Sequence, residues 1–506
     1  MYAGFGILSA LVGIGAGHLV AAFIDPASSP VLAIGSTVID LTPTPVKEWA
    51  VANFGTADKP ILIGSVLAGA VLLAAVGGVL ARRRFALGAL VLVLLVVVAG
   101  LAATLRPTAG VLDAVPALAT ALTGVGSLWW LTRSAAGPTT DPDSGEATAR
   151  HGASAPTRRG VLIASGALAV AAAAMGGVGR WIGTLRADPA DVALPAPSDP
   201  APTFPQGLDD KIDGIASFRT PNDNFYRIDT RLTLPTVGVE DYELVIDGDV
   251  ENELSFSFED LKNMDLIERD ITLTCVSNDV GGPYVGGARW LGVRLTDLLD
   301  QAGVGSSADQ ILSTDVDGMT ISTPLGVATD GRDAMIAIDM NGEALPREHG
   351  FPARMVVPGL YGYVSACKWI TRMTLTTYDA QQAYWTERDW ATEAPIKISS
   401  RIDTPQSFEE IGTEDTFIGG VAWAQDRGIG KVEVQIDGGD WTEAKLGPSA
   451  GVDYWRQWYL PWKPEAGQHT LMVRATSQEG EVQSPAKMTP FPEGSSGLQS
   501  IIVRVQ

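Results

Sequence analysis

Residues 270–282 read DITLTCVSNDVGG, and residues 286–295 read GGARWLGVRL. The β-branched run before Cys275 predicts a short strand, the glycines after it predict a loop, and Leu295–Leu299 has the spacing of a helix start. This arrangement presents a thiol at a strand end beside flexible backbone, where a ligand or a nucleophile would lie. A single cysteine after a strand is also commonly a small buried hydrophobic residue. The local pattern alone leaves both interpretations open.

The composition divides the chain into two chemically different parts. The 506 residues carry a formal net charge of −22, but residues 1–186 hold 12 Lys/Arg against 8 Asp/Glu, whereas the remainder holds 24 against 50. Phosphate backbones repel such an acidic second part, which argues against nucleic acid as a partner. The two cysteines, Cys275 and Cys367, are too few for a disulfide framework and lack the spacing of a zinc or haem motif.

Five apolar runs in the first part are each about as long as a membrane-spanning helix. They cover approximately residues 3–24, 61–81, 85–105, 111–131 and 160–183. Residues 1–186 are therefore predicted to form a five-span transmembrane region of a multi-pass plasma-membrane protein. Arginines at 82–84 and between 133 and 159 place the two loops that contain them in the cytoplasm. The fifth span then delivers the second part to the extracytoplasmic face.

Two segments precede the fifth run. Residues 135–156 are rich in Gly, Ser, Thr, Pro and Asp, which predicts a flexible linker. Thr157-Arg158-Arg159-Gly160 resembles a twin-arginine export signal, although paired arginines before a span also satisfy the positive-inside rule. His18 is the only histidine in the five runs, so the bundle lacks the histidine pair that a bis-histidine haem requires.

The second part is predicted to contain a linker and two domains. Residues 187–206 are rich in proline and are expected to be extended. Residues 207–392 alternate short strands, turns and a few helices, which indicates an α+β domain. Residues 393–506 show the pattern of an immunoglobulin-like β-sandwich, with strands broken by Gly and Asp turns at 417–423, 431–439 and 469–475. Four tryptophans between 441 and 462 are expected to pack in a core or an interface rather than to bind sugars.

Residues 339–369 combine turn formers with cationic and polar side chains. The steps Asn341-Gly342 and His349-Gly350-Phe351-Pro352 leave little regular structure before Arg354 enters a β run. Ser365 and Lys368 follow two glycines, which let backbone N–H groups approach a phosphate, and guanidinium binds phosphate through paired hydrogen bonds. Taken singly, His349 is more typical of a loop hydrogen-bonding group and Arg354 of a surface charge. Together these residues predict a phosphate pocket.

Three separated motifs follow one another along the second part of the chain. They are LTC at 273–275 with GARWLGVRL at 287–295, MNG at 340–342 through HGFPAR at 349–354 to VVPG at 356–359, and KW at 368–369. Taken in this order, they resemble the sulfite oxidase family of molybdenum enzymes. The resemblance extends over about residues 215–490. It implies a molybdopterin-binding catalytic domain at 207–392 and an immunoglobulin-like dimerisation domain at 393–506, and hence a homodimer.

The resemblance also implies a molybdenum–molybdopterin cofactor and roles for individual residues. Cys275 would be the thiolate ligand of molybdenum, consistent with the strong donor character of thiolate, and Arg227 would bind a substrate oxyanion. The residues that would hold the pterin and its phosphate, or line the metal pocket, are Asp223, Asn224, Tyr226, Thr314, Asp315, His349, Arg354, Ser365 and Lys368.

The chain departs from the sulfite-oxidising members at two places. Ile338 stands where they have an active-site tyrosine, and Ile228-Asp229 follow Arg227 where they have Asn-His. Without the phenol and the imidazole, the pocket loses partners for proton transfer and oxyanion binding. The expected reaction is oxygen-atom transfer on a small oxyanion or an S- or N-oxide, with a membrane-bound cytochrome or a quinone as electron partner. Sulfite oxidation proper, a non-catalytic cofactor-binding protein and an adhesion module are the alternatives.

Overall fold

The computed structural model describes residues 1–54, 57–135, 158–185 and 192–506. The chain divides into two compact units, Met1–Asp188 with Thr230–Thr236, and Pro189–Asp229 with Val237–Gln506. The linker predicted at 135–156 lies outside the described residues except for Ala135, and so does Thr157 of the twin-arginine motif. Those two predictions therefore stay predictions.

The first unit is built from helices. They are α1 (Tyr2–Ala21), α2 (Pro30–Leu41), α3 (Thr44–Phe54), α4 (Asp58–Ala81), α5 (Phe85–Thr104), α6 (Val115–Ala135) and α7 (Arg158–Leu185). Among the residues that the structure describes, four segments are long and apolar enough to cross a membrane, namely α1, α4, α5 and Val111–Ala135. The fifth predicted run lies in α7, where the apolar stretch Ser165–Gly179 is shorter. The helices α2 and α3 were not predicted from the sequence.

Glycines let α1 approach its neighbours closely. A Cβ atom added at Gly6 would lie 1.9 Å from the carbonyl oxygen of Ala74 in α4, and one added at Gly13 would lie 2.8 Å from the carbonyl oxygen of Thr120 in α6. Helix contacts through small residues are typical of membrane proteins, where van der Waals contact drives helix association. This packing supports the interpretation of the four long helices as spans.

The segment Thr230–Thr236 groups with the helical unit, although the predicted catalytic domain at 207–392 enclosed it. Leu232 explains why, since its Cδ1 atom lies only 2.6 Å from the position that a Cβ atom would take at Gly35 in α2. One of the two leucines in this stretch therefore packs against the helices.

The α+β domain of the second unit contains ten strands and four short α-helices. The strands are β1 (Glu243–Gly248), β2 (Leu254–Ser257), β3 (Leu266–Thr274), β4 (Val285–Arg294), β5 (Gln310–Asp315), β6 (Thr320–Pro324), β7 (Met335–Met340), β8 (Glu343–Ala344), β9 (Arg354–Val356) and β10 (Ile370–Thr376). The helices are α8 (Phe258–Lys262), α9 (Leu295–Ala302), α10 (Leu325–Ala328) and α11 (Gly362–Ser365). One sheet has the order β2-β1-β10-β5-β6, and the other has the order β3-β4-β7-β8 with β9 paired to β7.

The stretch around Cys275 forms the predicted strand and loop, followed by a second strand that was not predicted. β3 pairs antiparallel with β4 so that Thr274 lies opposite Val285, and Cys275 begins the connecting loop. The helix start expected at Leu295 is confirmed, because α9 begins there. The apolar face of α9 is buried, and the helix ends at Gly303, whose φ of +68° suits glycine.

The C-terminal region is β-rich. Its strands are β11 (Ser399–Thr404), β12 (Glu410–Ile411), β13 (Thr416–Trp423), β14 (Ile429–Ile436), β15 (Trp441–Glu443), β16 (Lys445–Leu446), β17 (Arg456–Trp462), β18 (Gly467–Ser477) and β19 (Ser500–Val505). Two sheets, β11-β13-β17-β16 and β12-β19-β18-β14-β15, share one hydrophobic core that includes Trp458. The three strands predicted here are confirmed as β13, β14 and β18. The immunoglobulin-like assignment and the dimerisation stay predictions.

The described part of the proline-rich segment, residues 192–206, is bound to the domain rather than free as a spacer. The N–H groups of Ser198 and Asp199 donate to the carbonyl oxygen of Leu266 at 2.9 and 3.1 Å. The ring of Phe204 lies 5.1 Å from that of Phe218 and 5.5 Å from that of Tyr454. Backbone pairing and aromatic packing together hold this segment in place.

Candidate active site

Cys275 is half-buried at the start of the loop between β3 and β4. Its N–H donates to the carbonyl oxygen of Tyr284, and its own carbonyl oxygen accepts from the N–H of Asn278, both at 3.0 Å. The sulfur lies 3.0 Å from the hydroxyl oxygen of Ser277. Burial raises the pKa of the Cys275 thiol, while Ser277 and the charge of Lys368 act in the opposite direction. A bound metal would overcome this effect, because coordination deprotonates a thiol.

The strand that leads to Cys275 is anchored through Thr272 to the C-terminal region. The N–H of Thr272 donates to the carbonyl oxygen of Asp453, and its carbonyl oxygen accepts from the Gln425 amide. Its hydroxyl oxygen accepts from the N–H of Trp455, and each of these three distances is 2.9 Å. Since Thr272 and Trp455 are buried, these bonds fix the strand three residues before the thiol.

His349 is buried and held by the turn at residues 222–225. Its Nε2 atom lies 3.0 Å from the carbonyl oxygen of Asn222, and its ring meets the ring of Phe225 edge-on at 5.5 Å. Burial, together with the positive charge of Arg354, lowers the pKa of His349 to about 4. The imidazole is therefore neutral at pH 7, and its Nε2 is the donor to Asn222.

Sequence reasoning missed the polar network that positions this turn. The side-chain amide of Asn341 donates to the carbonyl oxygen of Thr220 at 2.9 Å and to the side-chain oxygen of Asn222 at 2.8 Å. The side-chain oxygen of Asn341 accepts from the N–H of Arg289 at 3.0 Å. The available signal was the Asn-Gly step, because Asn341 has a φ of +62°, a conformation that asparagine tolerates.

Arg354 lies in β9 and is 5% exposed, which is rare for an arginine. One terminal nitrogen donates to the carbonyl oxygen of His349 at 3.0 Å, and the guanidinium lies 5.1 Å from the centre of the Trp290 ring. Within the described part of the chain, its buried Nε atom has no hydrogen-bond partner. Burial lowers the pKa of Arg354 to about 10, which still leaves it charged at pH 7. A buried cation with an unused donor suits an anionic ligand.

Lys368 and Arg227 meet at one carboxylate. The ammonium of Lys368 donates to Asp229 at 2.8 Å and to the carbonyl oxygen of Glu348 at 3.1 Å. Arg227 donates through Nε to the same oxygen of Asp229 at 2.8 Å, and through a terminal nitrogen to the other oxygen at 3.3 Å. Burial lowers the pKa of Lys368 to about 8, against the opposing charge of Asp229. No sequence motif pointed to Asp229 as this partner.

The charged groups lie close enough to affect one another. The pKa of His349 responds to Arg354, Lys368 and Arg227, and the pKa of Cys275 responds to Lys368. Burial raises the pKa of Tyr226, and a negative charge on Cys275 adds to this effect. The structure thus places Cys275, Tyr226, His349, Arg354, Lys368 and Arg227 within electrostatic range of one another, and their roles at one site stay a prediction.

The remaining candidate residues occupy other environments. Asp223 and Asn224 are exposed on the turn that positions His349. Ser365 is fully buried, and its hydroxyl donates to the carbonyl oxygens of Leu360 and Tyr361 at 3.0 Å. Thr314 and Asp315 end β5 in the other sheet, where Asp315 accepts the N–H groups of residues 317 and 319 at 2.9 Å. The side chains of Ser365 and Asp315 therefore stabilise local backbone.

The pocket fits a cofactor that brings metal ligands and a phosphate of its own. The residues that the structure describes contain no group of three or more His, Cys, Asp or Glu that could hold a metal ion unaided. Cys275 can supply one thiolate, and the unused donor of Arg354 can meet a phosphate or a ring acceptor. Gly350 keeps the cationic side of the pocket compact, because a Cβ atom there would lie 3.1 Å from Lys368 Cα and from Arg354 Cβ.

Comparisons with known proteins agree with this geometry. A sequence model described as "Oxidoreductase molybdopterin binding domain" matches residues 231–385. Human mitochondrial sulfite oxidase is 31% identical over 304 residues, covering 51% of this chain and 55% of the human protein. Sulfite oxidase of Arabidopsis thaliana is 26% identical over 289 residues, covering 47% of this chain and 73% of the plant protein. The chain thus spans about half the length of the human relative.

A solved structure gives the same assignment for the fold. The sulfane dehydrogenase SoxCD from Paracoccus pantotrophus superposes with a TM-score of 0.50 at 24% identity, covering 58% of this chain and 85% of that chain. At this identity the likeness concerns the fold alone. The family match and the relatives together show that residues 231–385 form a molybdopterin-binding oxidoreductase domain similar to that of the sulfite oxidases.

Proposed function

We propose that the second unit binds molybdenum–molybdopterin and transfers an oxygen atom to or from a small oxyanion or an S- or N-oxide. The observation that carries this proposal is the convergence of the Cys275 thiol with three cations, one of which is a buried arginine with an unused donor. Oxide reduction consumes two electrons and two protons and releases water. Oxidation of an oxyanion such as sulfite runs in the opposite sense, consuming water.

Each residue of the pocket has a proposed role. Cys275 is the thiolate ligand of the metal, while Arg354, Lys368 and neutral His349 hold the pterin and its phosphate. Arg227 is the most accessible cation of the cluster, with 35% of its side chain exposed, and it binds the substrate oxygen. When bound, the molybdenum centre supplies two-electron redox chemistry and oxygen-atom exchange.

Metal and pterin analysis tests the proposal. The full chain should be produced in a host that makes the cofactor and purified in detergent, and about one molybdenum per chain is expected. Cys275→Ser should retain pterin but lose turnover with every substrate in a panel of sulfite, sulfoxides, N-oxides and chlorate. Cys367→Ala is a matched control, because Cys367 is buried in the core of the second unit. A wild-type protein without molybdenum would refute the proposal.

Two alternatives have specific support. The names of the curated relatives favour sulfite oxidation proper. Ile338 favours a non-catalytic cofactor-binding protein, because its apolar side chain is fully buried where a phenol would otherwise act. Reduction of the metal by sulfite, followed spectroscopically, would support the first alternative. A metal that no substrate in the panel oxidises or reduces would support the second. Burial of Trp455 and Trp458 disfavours the adhesion alternative, since buried rings cannot stack on an external ligand.

We also propose that the first unit anchors the protein in the plasma membrane with the second unit on the extracytoplasmic face. Support comes from four helices of sufficient length and hydropathy among the described residues and from the arginines at 82–84. The apolar stretch Ser165–Gly179 of α7 would be the fifth crossing, which this orientation requires. The electron partner would be a membrane-bound cytochrome or a quinone. Protease added to intact cells should remove the second unit. If the second unit is fully protected from protease in cells with a permeable outer envelope, this topology is wrong. Size measurement of the detergent-solubilised chain tests the expected homodimer.

A further inference from the structure

Asp229 is a buried carboxylate that links two of the three cations in the pocket. Its side chain is 5% exposed, and the nearest nitrogen atoms of Lys368 and Arg227 both lie 2.8 Å from one of its oxygens. The paired contact with Arg227 engages Nε and one terminal nitrogen. A carboxylate in this position cancels much of the positive charge that Arg227 and Lys368 would otherwise present to a ligand.

Two neighbouring groups act differently on that charge. His349 is neutral, whereas Arg354 is charged, lies buried beside Trp290 and donates to the His349 carbonyl oxygen. Arg227 retains one terminal nitrogen, NH1, that makes no hydrogen bond within the described part of the chain. The pocket therefore offers a substrate a hydrogen-bond donor beside a carboxylate that offsets part of the cationic charge.

We infer that Asp229 is a specificity-determining residue that favours neutral oxides, such as sulfoxides and amine N-oxides, over dianions such as sulfite. A neutral oxide carries one partly negative oxygen, which can accept from Arg227 NH1 without disturbing the ion pairs. A dianion at the same nitrogen is attracted by Arg227 and Lys368, but the Asp229 carboxylate offsets part of this attraction, and charge interactions are strong in a partly buried site. The inference rests on the proposed function and narrows its substrate class.

Asp229→Asn tests the inference, because it removes the charge and nearly preserves the shape. Using the molybdenum-loaded full chain, the inhibition constant of sulfate, an inert dianion, is measured beside kcat/KM for dimethyl sulfoxide and for sulfite. We expect sulfate to bind at least roughly 10-fold more tightly to the variant, and the ratio of kcat/KM for sulfite over dimethyl sulfoxide to rise by a similar factor. Calorimetric titration of sulfate gives the same comparison without turnover.

Asp333→Asn is the matched control. Asp333 also joins two cations, since it accepts from Arg269 at 2.6 Å and from Arg294 at 2.5 Å, and neither belongs to the pocket. Its variant should leave sulfate affinity unchanged. Asp229→Ser makes the same charge change with a smaller side chain, should the Asn variant fold poorly.

Two results would overturn the inference. The first is a sulfate affinity within about twofold of wild type in a folded, molybdenum-loaded variant at position 229, and the second is a wild-type enzyme that prefers sulfite to every neutral oxide. Absence of molybdenum from the wild type would instead refute the proposed function. The two failures are therefore distinguishable.

Discussion

Replacing Thr272 with valine should uncouple the strand that carries Cys275 from the C-terminal region. Valine has nearly the same shape as threonine, but it lacks the hydroxyl oxygen that accepts a hydrogen bond from the backbone N–H of Trp455 at 2.9 Å. Trp455 is 2% exposed, so its N–H would remain buried without a partner. Leaving a buried donor unpaired costs about 1–3 kcal/mol of unfolding free energy. The backbone bonds of Thr272 to Asp453 and Gln425 do not need the hydroxyl and should persist.

Thermal unfolding of the detergent-solubilised full chain, followed by near-ultraviolet circular dichroism of the tryptophans, measures this loss. A cost of that size should lower the melting temperature of the second unit by roughly 2–10 °C. Thr442→Val is the control, because Thr442 is exposed in β15 and surface substitutions usually change stability by less than about 0.5 kcal/mol. If both variants melt within about 1 °C of each other, the proposed anchoring of β3 through Thr272 is wrong.

Two further substitutions probe the pocket and its sheet. Gly350→Ala should reduce molybdenum content severalfold, because Gly350 has a φ of +112° and the added Cβ would lie 3.1 Å from Lys368 Cα. Gly326→Ala is the control, since a Cβ atom there would have no atom within 4 Å and molybdenum content should not change. Equal molybdenum content in both variants would contradict the tight packing at Gly350. Burial raises the pKa of Asp339 from 3.8 to about 7, so its protonated form is favoured in the folded state and wild-type stability should fall as pH rises from about 4 to about 7. Asp339→Asn should remove that part of the slope in urea unfolding curves, and an unchanged slope would show that Asp339 is ionised in the folded protein.

Local sequence signals predicted the elements that carry the site. A β-branched run marked β3, Gly and Asp turns marked β13, β14 and β18, and apolar spacing marked the start of α9, because these signals depend on residues a few positions apart. The family motifs likewise brought Cys275, His349, Arg354 and Lys368 into one hypothesis. The structure places these four near one another.

Long-range partners could not be predicted in the same way. Asp229 meets Lys368 across 139 positions, and Asn341 meets Asn222 across 119. An isolated aspartate or asparagine has no periodic signature, so only the folded chain reveals its partner. The packing of residues 192–206 against β3 and of Leu232 against α2 was missed for the same reason.

The positions of Ile338 and Asp229 suggest where substrate preference resides in this chain. Every residue of β7 is buried, and Ile338 belongs to the hydrophobic core. An isoleucine there needs no polar partner, whereas a phenol would need one. The polar groups of the pocket come instead from the segments 222–229 and 347–368, which flank the sheet. Because Asp229 fixes the charge next to Arg227, restoring a phenol from the sheet would leave that charge unchanged. We therefore expect the choice between a neutral oxide and a dianion to depend on the segment 227–229 more than on β7.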